Sequence, residues 1–260
     1  MLDSNLDLSK EVAIGSAVAR QAGEIAMRYY RTGIAHEDKP DDSPVTRADR
    51  ECEQFIAGEL ERAFPSDGLL GEEGAQKPAP SGRRWIIDPI DGTRDFVRGI
   101  PTWSVLIGLE AEGEVVAGFA CMPALGDLFW ASRGGGAFVN GERMHASAIA
   151  SVNRAVACFD SLTSAAGQPF AARLLDWMAS FWAVRSLGGC LDALMVARGQ
   201  AEIWIETAGK PWDFAPLKII AEEAGARFCD YQGNATIYGG NCVIYAPGLE
   251  EAVWRLLKSA

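Results

Sequence analysis

The stretch WIIDPIDGTRDF, residues 85–96, decides how the rest of the chain is read. Trp85, Ile86 and Ile87 are aromatic and β-branched, which predicts a short buried strand. The apolar run stops at Asp88, and a second carboxylate follows at Asp91. Pro89 fixes its own backbone and pushes Asp88 out of helical geometry. A turn within this tetrapeptide would let both acids and the Ile90 carbonyl converge on one point. Gly92 leaves room for a ligand close to the backbone. A helical turn starting at Thr93 would offer free N–H groups to an anion. The plain alternative is that Asp88 ends the strand and Asp91 caps the next turn.

Other acids also fall at element ends. LLGEEG, residues 69–74, puts Glu72 and Glu73 in a loop after a strand. KPWDFAPL, residues 210–217, puts Asp213 just ahead of a helix, where an N-cap is its ordinary role. SPVTRAD, residues 43–49, puts Asp49 near the start of a helix, where a surface acid is unremarkable. Taken together, Asp49, Glu72, Asp88, Asp91 and Asp213 are an all-oxygen donor set of the kind Mg²⁺ takes beside a substrate phosphate. Spacing alone does not show that they meet in space.

Charge gives an independent reason to expect a cation. The chain carries a formal net charge of −11, which repels nucleic acid and anionic lipid, so neither is an expected partner. The same field repels small phosphates unless a bound metal inverts it locally. Hydrophobic residues make up 48% and charged residues 23% of 260, as in an ordinary globular protein. No apolar stretch reaches the length of a membrane span. The N-terminus, MLDSNLDLSKE, lacks the basic-then-apolar pattern of a signal peptide. A cytoplasmic protein is the expectation. The six cysteines form no CxxC pair, which favours buried reduced thiols over zinc or disulfides.

Periodicity predicts a first helix over residues 1–33, stopped by Gly33, and a second over about residues 48–63. The segment EDKPDDSPVTRADR between them reads as a loop. WSVLIGLEAEGEVVAGFACMP reads as two strands joined at Glu112-Gly113. DLFWASRGGGAFVNGERM reads as more antiparallel pairing, with a tight turn at Asn140-Gly141. Beyond residue 150 the pattern alternates. Strands AVACFD, AEIWIE, ARFCD and CVIYA are interleaved with helices AARLLDWMASFW, LDALMVARG, DFAPLKIIAEEAG and GLEEAVWRLLKSA. This order predicts layered α/β packing with mixed sheets. The whole chain, 1–260, is expected to form one domain, with a metal-binding half over 1–150 and a C-terminal half over 151–260 sharing one core. His36 and His145 are expected at the surface.

The chain resembles the inositol monophosphatase family of Mg²⁺-dependent, lithium-sensitive phosphatases. GEEG (71–74), WIIDPIDGTRDF (85–96) and PWDFAPLKIIAEEAG (211–225) carry the match. DKPDDSPVTRAD (38–49), RSLGGCLDALMVARG (185–199) and YGGN (238–241) extend it over nearly the whole chain. The resemblance implies an αβαβα sandwich and a homodimer. It implies two or three Mg²⁺ per site. Glu72, Asp88 and the Ile90 carbonyl would hold the first, Asp88, Asp91 and Asp213 the second, and Asp49 a weaker third through water. Glu72 and Thr93, with Asp49, would act on the attacking water, and Asp213 and metal-bound water would help protonate the leaving group. Asp91, Gly92, Thr93, Arg185, Gly188, Glu206 and Asp213 would contact the substrate, with Gly92 and Thr93 binding phosphate and Glu206 the alcohol part.

Within the family, KPDDSPVTRADR, DFVRGIPTWSVLIGL, PALGDLFWASRGGGAF and YGGN look like histidinol-phosphate phosphatases. The expected substrate is therefore a small phosphorylated metabolite, histidinol phosphate first. Inositol-1-phosphate or a range of sugar phosphates is the alternative, and an inactive regulatory relative is the non-enzyme alternative. Two residues depart from the pattern. Asp95 stands where the family usually has Asn. Gly189 stands where that subfamily often has Asp, which leaves Glu206, Asp192 or a partner subunit to meet a cationic substrate.

Overall fold

A computed structural model describes residues 7–39 and 44–258. In chain order its elements are α1 (Ser9–Met27), β1 (His36–Asp38), β2 (Pro44–Thr46), α2 (Arg47–Ala63), β3 (Gly68–Gly71), β4 (Gln76–Lys77), β5 (Arg83–Asp91), α3 (Thr93–Arg98), β6 (Ser104–Ala111), β7 (Glu114–Met122), β8 (Asp127–Ser132), β9 (Gly136–Val139) and β10 (Glu142–Arg143). The second half continues with β11 (Val156–Phe159), α4 (Leu162–Ala165), α5 (Ala171–Ala179), β12 (Ala183–Arg185), α6 (Leu191–Ala197), β13 (Ile203–Glu206), α7 (Pro211–Glu223), β14 (Arg227–Cys229), β15 (Cys242–Tyr245) and α8 (Glu250–Leu257).

Strands β3 to β10 form an eight-stranded sheet in the order β10-β9-β8-β7-β6-β5-β3-β4. Every pair in it is antiparallel except β3 with β5. Strands β11 to β15 form a five-stranded mixed sheet, β12-β11-β13-β15-β14. Three apolar clusters show the layering. One packs α1 and α2 on the outer face of the large sheet, around Ile56, Trp85 and Phe119. A second sets α6 and α7 between the two sheets, with residues of both, such as Ile86, Phe214 and Ile244. A third packs α5 and α8 on the far face of the small sheet, around Phe159, Trp177 and Val253. The result is an αβαβα sandwich. Strands β6 and β7 lie between helices on both sides, so they read as continuous apolar runs rather than alternating ones.

Helix α7 sits closely on this sheet because of two glycines. Gly108 and Gly118 face each other across β6 and β7. A Cβ at Gly108 would lie 2.7 Å from the Ala215 Cβ, and one at Gly118 would lie 2.8 Å from the Pro216 Cα. The glycines thus bring the start of α7, and Asp213 with it, down to the level of β5.

Several boundaries differ from the sequence reading. Helix α1 ends at Met27, six residues before the expected stop, because the chain turns through Arg31 (φ 61°) and Gly33 (φ 71°). The segment between α1 and α2 carries the β1–β2 hairpin rather than only a loop. The middle of that segment, 40–43, and the ends of the first and last predicted helices, 1–6 and 259–260, lie outside the described residues. Both expected tight turns are present. Glu112 (φ 52°) with Gly113 (φ 81°), and Asn140 (φ 50°) with Gly141 (φ 88°), pair two left-handed residues as a hairpin turn of the primed type requires. All six cysteines are buried and unpaired, and both histidines are exposed. Among the described residues no helix is long and apolar enough to cross a membrane.

Candidate active site

The site is built on an irregularity in β5. The strand does not stop at Asp88, and no turn separates the two acids as their sequence suggests. Asp88 pairs with Leu106 and Asp91 pairs with Ser104, so three steps along β5 match two along β6. This is a bulge with one extra residue. It changes which way the acids face. In a regular strand residues three apart point to opposite faces, and the extra residue lets Asp88 and Asp91 line one cavity. Pro89 sits inside the bulge, where its missing N–H breaks no ladder bond. The Ile90 N–H folds back onto Asp88 Oδ1 at 3.0 Å.

Gly92 follows in left-handed conformation (φ 79°) and starts α3. A side chain there would be strained and would crowd the Thr102 carbonyl at 3.4 Å. The Thr93 hydroxyl lies 3.0 Å from the Ile90 carbonyl and 3.3 Å from Asp49 Oδ1. Asp49 is fully buried, not a surface acid. It closes a capping box at the start of α2, accepting the Thr46 N–H at 2.8 Å and hydroxyl at 2.6 Å through Oδ2. That leaves Oδ1 toward Thr93.

Glu72 follows the end of β3, the strand parallel to β5, and its N–H donates to the Ile87 carbonyl at 3.1 Å. Lys39 Nζ lies 2.8 Å from Glu72 and 2.6 Å from Glu73. Asp213 is the third residue of α7 rather than its N-cap. Lys210 holds the cap position, and Asp213 Oδ2 accepts the Lys210 N–H at 2.7 Å. Glu206 ends β13 and is nearly buried, and the Ala208 N–H donates to it at 3.0 Å.

Glu72, Asp88, Ile90, Asp91, Gly92, Thr93, Gly188, Glu206 and Asp213 all line one cavity of about 890 Å³, together with Lys39, Asp95, Asp160 and Lys210. Asp49 lies behind Thr93. Arg185, expected to touch substrate, is outside this lining. It ends the edge strand β12, is exposed, and hydrogen-bonds the Val184 carbonyl. Asp160 also faces the cavity and is absent from the residues the sequence singles out; it directly follows the last residue of β11, Phe159. Its sequence signal is the acid that closes the apolar run AVACFD.

Asp95 accepts the Thr102 hydroxyl at 2.5 Å, which ties α3 to the start of β6. Gly189 is left-handed (φ 53°), and a Cβ there would lie 2.2 Å from the Thr102 carbonyl oxygen. An acid at that position has no room in this backbone. Asp192 is fully buried outside the cavity lining, and its Oδ2 accepts the Leu187 and Gly188 N–H groups.

The carboxyls of this cavity are hard to ionise together. Burial, then the charges of Glu72 and Asp91, holds Asp88 well above the usual carboxylate range. Burial and the charge of Asp213 push Asp91 up to about 8. Burial pushes Asp213 up to about 6, and burial with the charge of Asp160 pushes Glu206 up to about 10. Among the described residues no three acids already converge on one point as ligands. Lys39 holds Glu72, and backbone N–H groups hold one oxygen each of Asp88, Asp91 and Asp213. The donor set still fits a hard divalent cation. It is all oxygen, recessed, and repels itself until a positive charge neutralises it.

An acid-lined cavity in a five-layer α/β sandwich is the kind of site that takes a hard cation beside a phosphate. The chain belongs to the inositol monophosphatase family, whose sequence profile matches residues 7–259. It is 38% identical over 240 residues to the histidinol-phosphatase of Chlorobaculum parvum, covering 92% of this chain and 93% of that one. It is 39% identical over 210 residues to the inositol-1-monophosphatase of Mesorhizobium japonicum, covering 77% and 79%. The extragenic suppressor protein suhB from Bartonella henselae superposes with a TM-score of 0.88 at 31% identity, covering 97% of this chain and 100% of that one. An inositol monophosphatase/NADP phosphatase solved with Mg²⁺ and phosphate superposes with a TM-score of 0.80 at 25% identity, covering 93% and 92%.

Proposed function

We propose that this phosphatase hydrolyses histidinol phosphate to histidinol and phosphate with Mg²⁺, as a cytoplasmic homodimer. The observation that carries the substrate is the pair of acids, Asp160 and Glu206, facing the cavity beside Asp213. An amino-imidazole alcohol brings positive charge to such a pocket, whereas a polyol brings none. The histidinol-phosphatase name of the 38%-identical relative supports the same reading.

Glu72, Asp88, the Ile90 carbonyl, Asp91 and Asp213 would hold two Mg²⁺, with Asp49 as the candidate for a third. When bound, the ions supply Lewis-acid neutralisation of the phosphate and a more acidic water. The chain's own residues do the rest. The start of α3 leaves the Gly92 and Thr93 N–H groups without intrahelical partners, and they receive the phosphate oxygens. Glu72 and Thr93 orient the attacking water, with Asp49 fixing the Thr93 hydroxyl from behind. Asp213 stands on the leaving-group side with Glu206 and would orient the water that protonates the departing alcohol, the proton released by the attacking water returning through solvent. Hydrolysis of this kind depends mainly on position and charge stabilisation.

The test is phosphate release from histidinol phosphate and from inositol-1-phosphate, each with and without Mg²⁺. Release that needs Mg²⁺ and favours histidinol phosphate in kcat/KM is the expected result. Equal turnover would leave a general phosphomonoesterase, and activity in chelator would remove the metal from the reading.

A further inference from the structure

Ser104 is the first residue of β6, fully buried, and paired with Asp91 across the bulge. Its hydroxyl lies 3.3 Å from Asp91 Oδ2 and 3.0 Å from the Cys190 thiol. The same Oδ2 accepts the Cys190 N–H at 2.9 Å, the shorter of its two contacts. An ionised carboxylate only accepts hydrogen bonds. With an ion bound Asp91 is ionised, and the Ser104 hydroxyl then donates to its Oδ2. The start of β6 and the start of α6 thus place two donors, the Ser104 hydroxyl and the Cys190 amide, on one oxygen of one acid.

We propose that Ser104 is a positioning residue: with the Cys190 amide it holds Asp91 by Oδ2 alone, so that Asp91 presents only Oδ1 to an ion, and this one-oxygen presentation selects Mg²⁺ over Ca²⁺. The inference rests on Asp91 being a metal ligand. The physical basis is the different demand of the two ions. Mg²⁺ requires a compact octahedron with single oxygens at about 2.1 Å, whereas Ca²⁺ takes more oxygens at about 2.4 Å and accepts both from one carboxylate. A carboxylate pinned by one oxygen serves the first ion and disfavours the second. Removing the Ser104 hydroxyl loosens that pin, and the carboxylate can then rotate to offer both oxygens.

Calorimetric titration of Mg²⁺ and of Ca²⁺ into the metal-free enzyme reads this without turnover. Ser104→Ala is expected to lower the ratio of Mg²⁺ to Ca²⁺ affinity by about tenfold, the size of effect seen when a group that orients a ligand is removed. Ser104→Cys keeps a weak donor of similar size and is expected to fall between Ser104→Ala and the wild type. Should Ser104→Ala not fold, Ser104→Cys against wild type carries the test with a smaller drop. An unchanged ratio, or an equal weakening of both ions, overturns the proposal. Asp91→Asn, titrated alongside, separates the two levels. If it leaves Mg²⁺ affinity untouched, the ligand reading itself fails and the proposal falls with it. If Asp91→Asn loses Mg²⁺ while Ser104→Ala leaves the ratio unchanged, only the positioning role fails.

Discussion

Asp160 and Glu206 stand side by side at the ends of two parallel strands, one residue beyond the paired Phe159 and Ile205. The Asp160 N–H donates to the Ile205 carbonyl at 3.2 Å, which fixes the two backbones at the mouth of the cavity. Burial first, and then the neighbouring Asp160 charge, pushes Glu206 up to about 10, so the pair shares a proton when nothing cationic is near. An ammonium or imidazolium group would take that proton's place. Asp160→Asn and Glu206→Gln are therefore each expected to lower kcat/KM for histidinol phosphate several-fold more than for inositol-1-phosphate, because Coulomb attraction in a recessed site exceeds its value in water. Equal losses on both substrates would show that the pair has no part in choosing the leaving group.

Asp91→Asn preserves size and removes one charge from the cavity. A loss of at least about tenfold in Mg²⁺ affinity or in rate is expected, with the fold retained. The measurement is a Mg²⁺ titration of activity beside a thermal melt. Near-normal activity at low Mg²⁺ would exclude Asp91 as a ligand. Asp213→Asn is a poorer probe, because the same carboxylate closes the cap at Lys210.

Thr93 is held from two sides, by the Ile90 carbonyl and by Asp49. If its hydroxyl orients the attacking water, Thr93→Ala lowers kcat and leaves Mg²⁺ affinity nearly unchanged. A rise in KM with kcat intact would reduce Thr93 to a contact for bound substrate.

Gly118→Ala tests the seat of α7. The added methyl would meet the Pro216 backbone at 2.8 Å, which a rotamer change cannot relieve. A loss of about 1–3 kcal/mol is expected from urea unfolding, as for other overpacked interiors. Wild-type stability would mean that α7 shifts outward freely. In that case Asp213 should move with it and activity should fall while stability holds.

Much of this site was legible because its acids fall where an apolar run breaks off or a helix begins in the sequence. Asp88, Asp91, Glu72 and Asp213 all carry that signature. Asp160 carries it too, but only tertiary pairing of β11 with β13 places it beside Glu206. The bulge at Pro89 was not legible, because proline at that position signals a turn as readily as a strand irregularity, and the β6 partner decides between them. Asp49 read as a surface acid because a capping box leaves the same sequence trace whether the helix start is buried or exposed. The layering itself could be read from the continuous apolar runs of β6 and β7 and the alternating second half. The β1–β2 hairpin could not, since a three-residue exposed strand has no periodicity to detect.

The last expectation concerns pH. Asp49 and Asp213 are raised from 3.8 to about 6 and Asp91 to about 8 in the folded protein, in each case first by burial. Folded-state values above the unfolded ones mean that the metal-free native state binds more protons than the unfolded chain between about pH 4 and 8. Stability then falls as pH rises through that window, because unfolding releases protons. Mg²⁺ reverses the cause by neutralising the ionised carboxylates, and it competes with the same protons. Thermal melts of the metal-free protein are expected to show Tm falling from pH 5 to pH 8. The increase in Tm on adding saturating Mg²⁺ is expected to be larger at pH 8 than at pH 5. A metal-free Tm that rises over this range would mean that these acids are not the groups that titrate. A Mg²⁺ shift of equal size at both pH values would mean that the ion binds away from them.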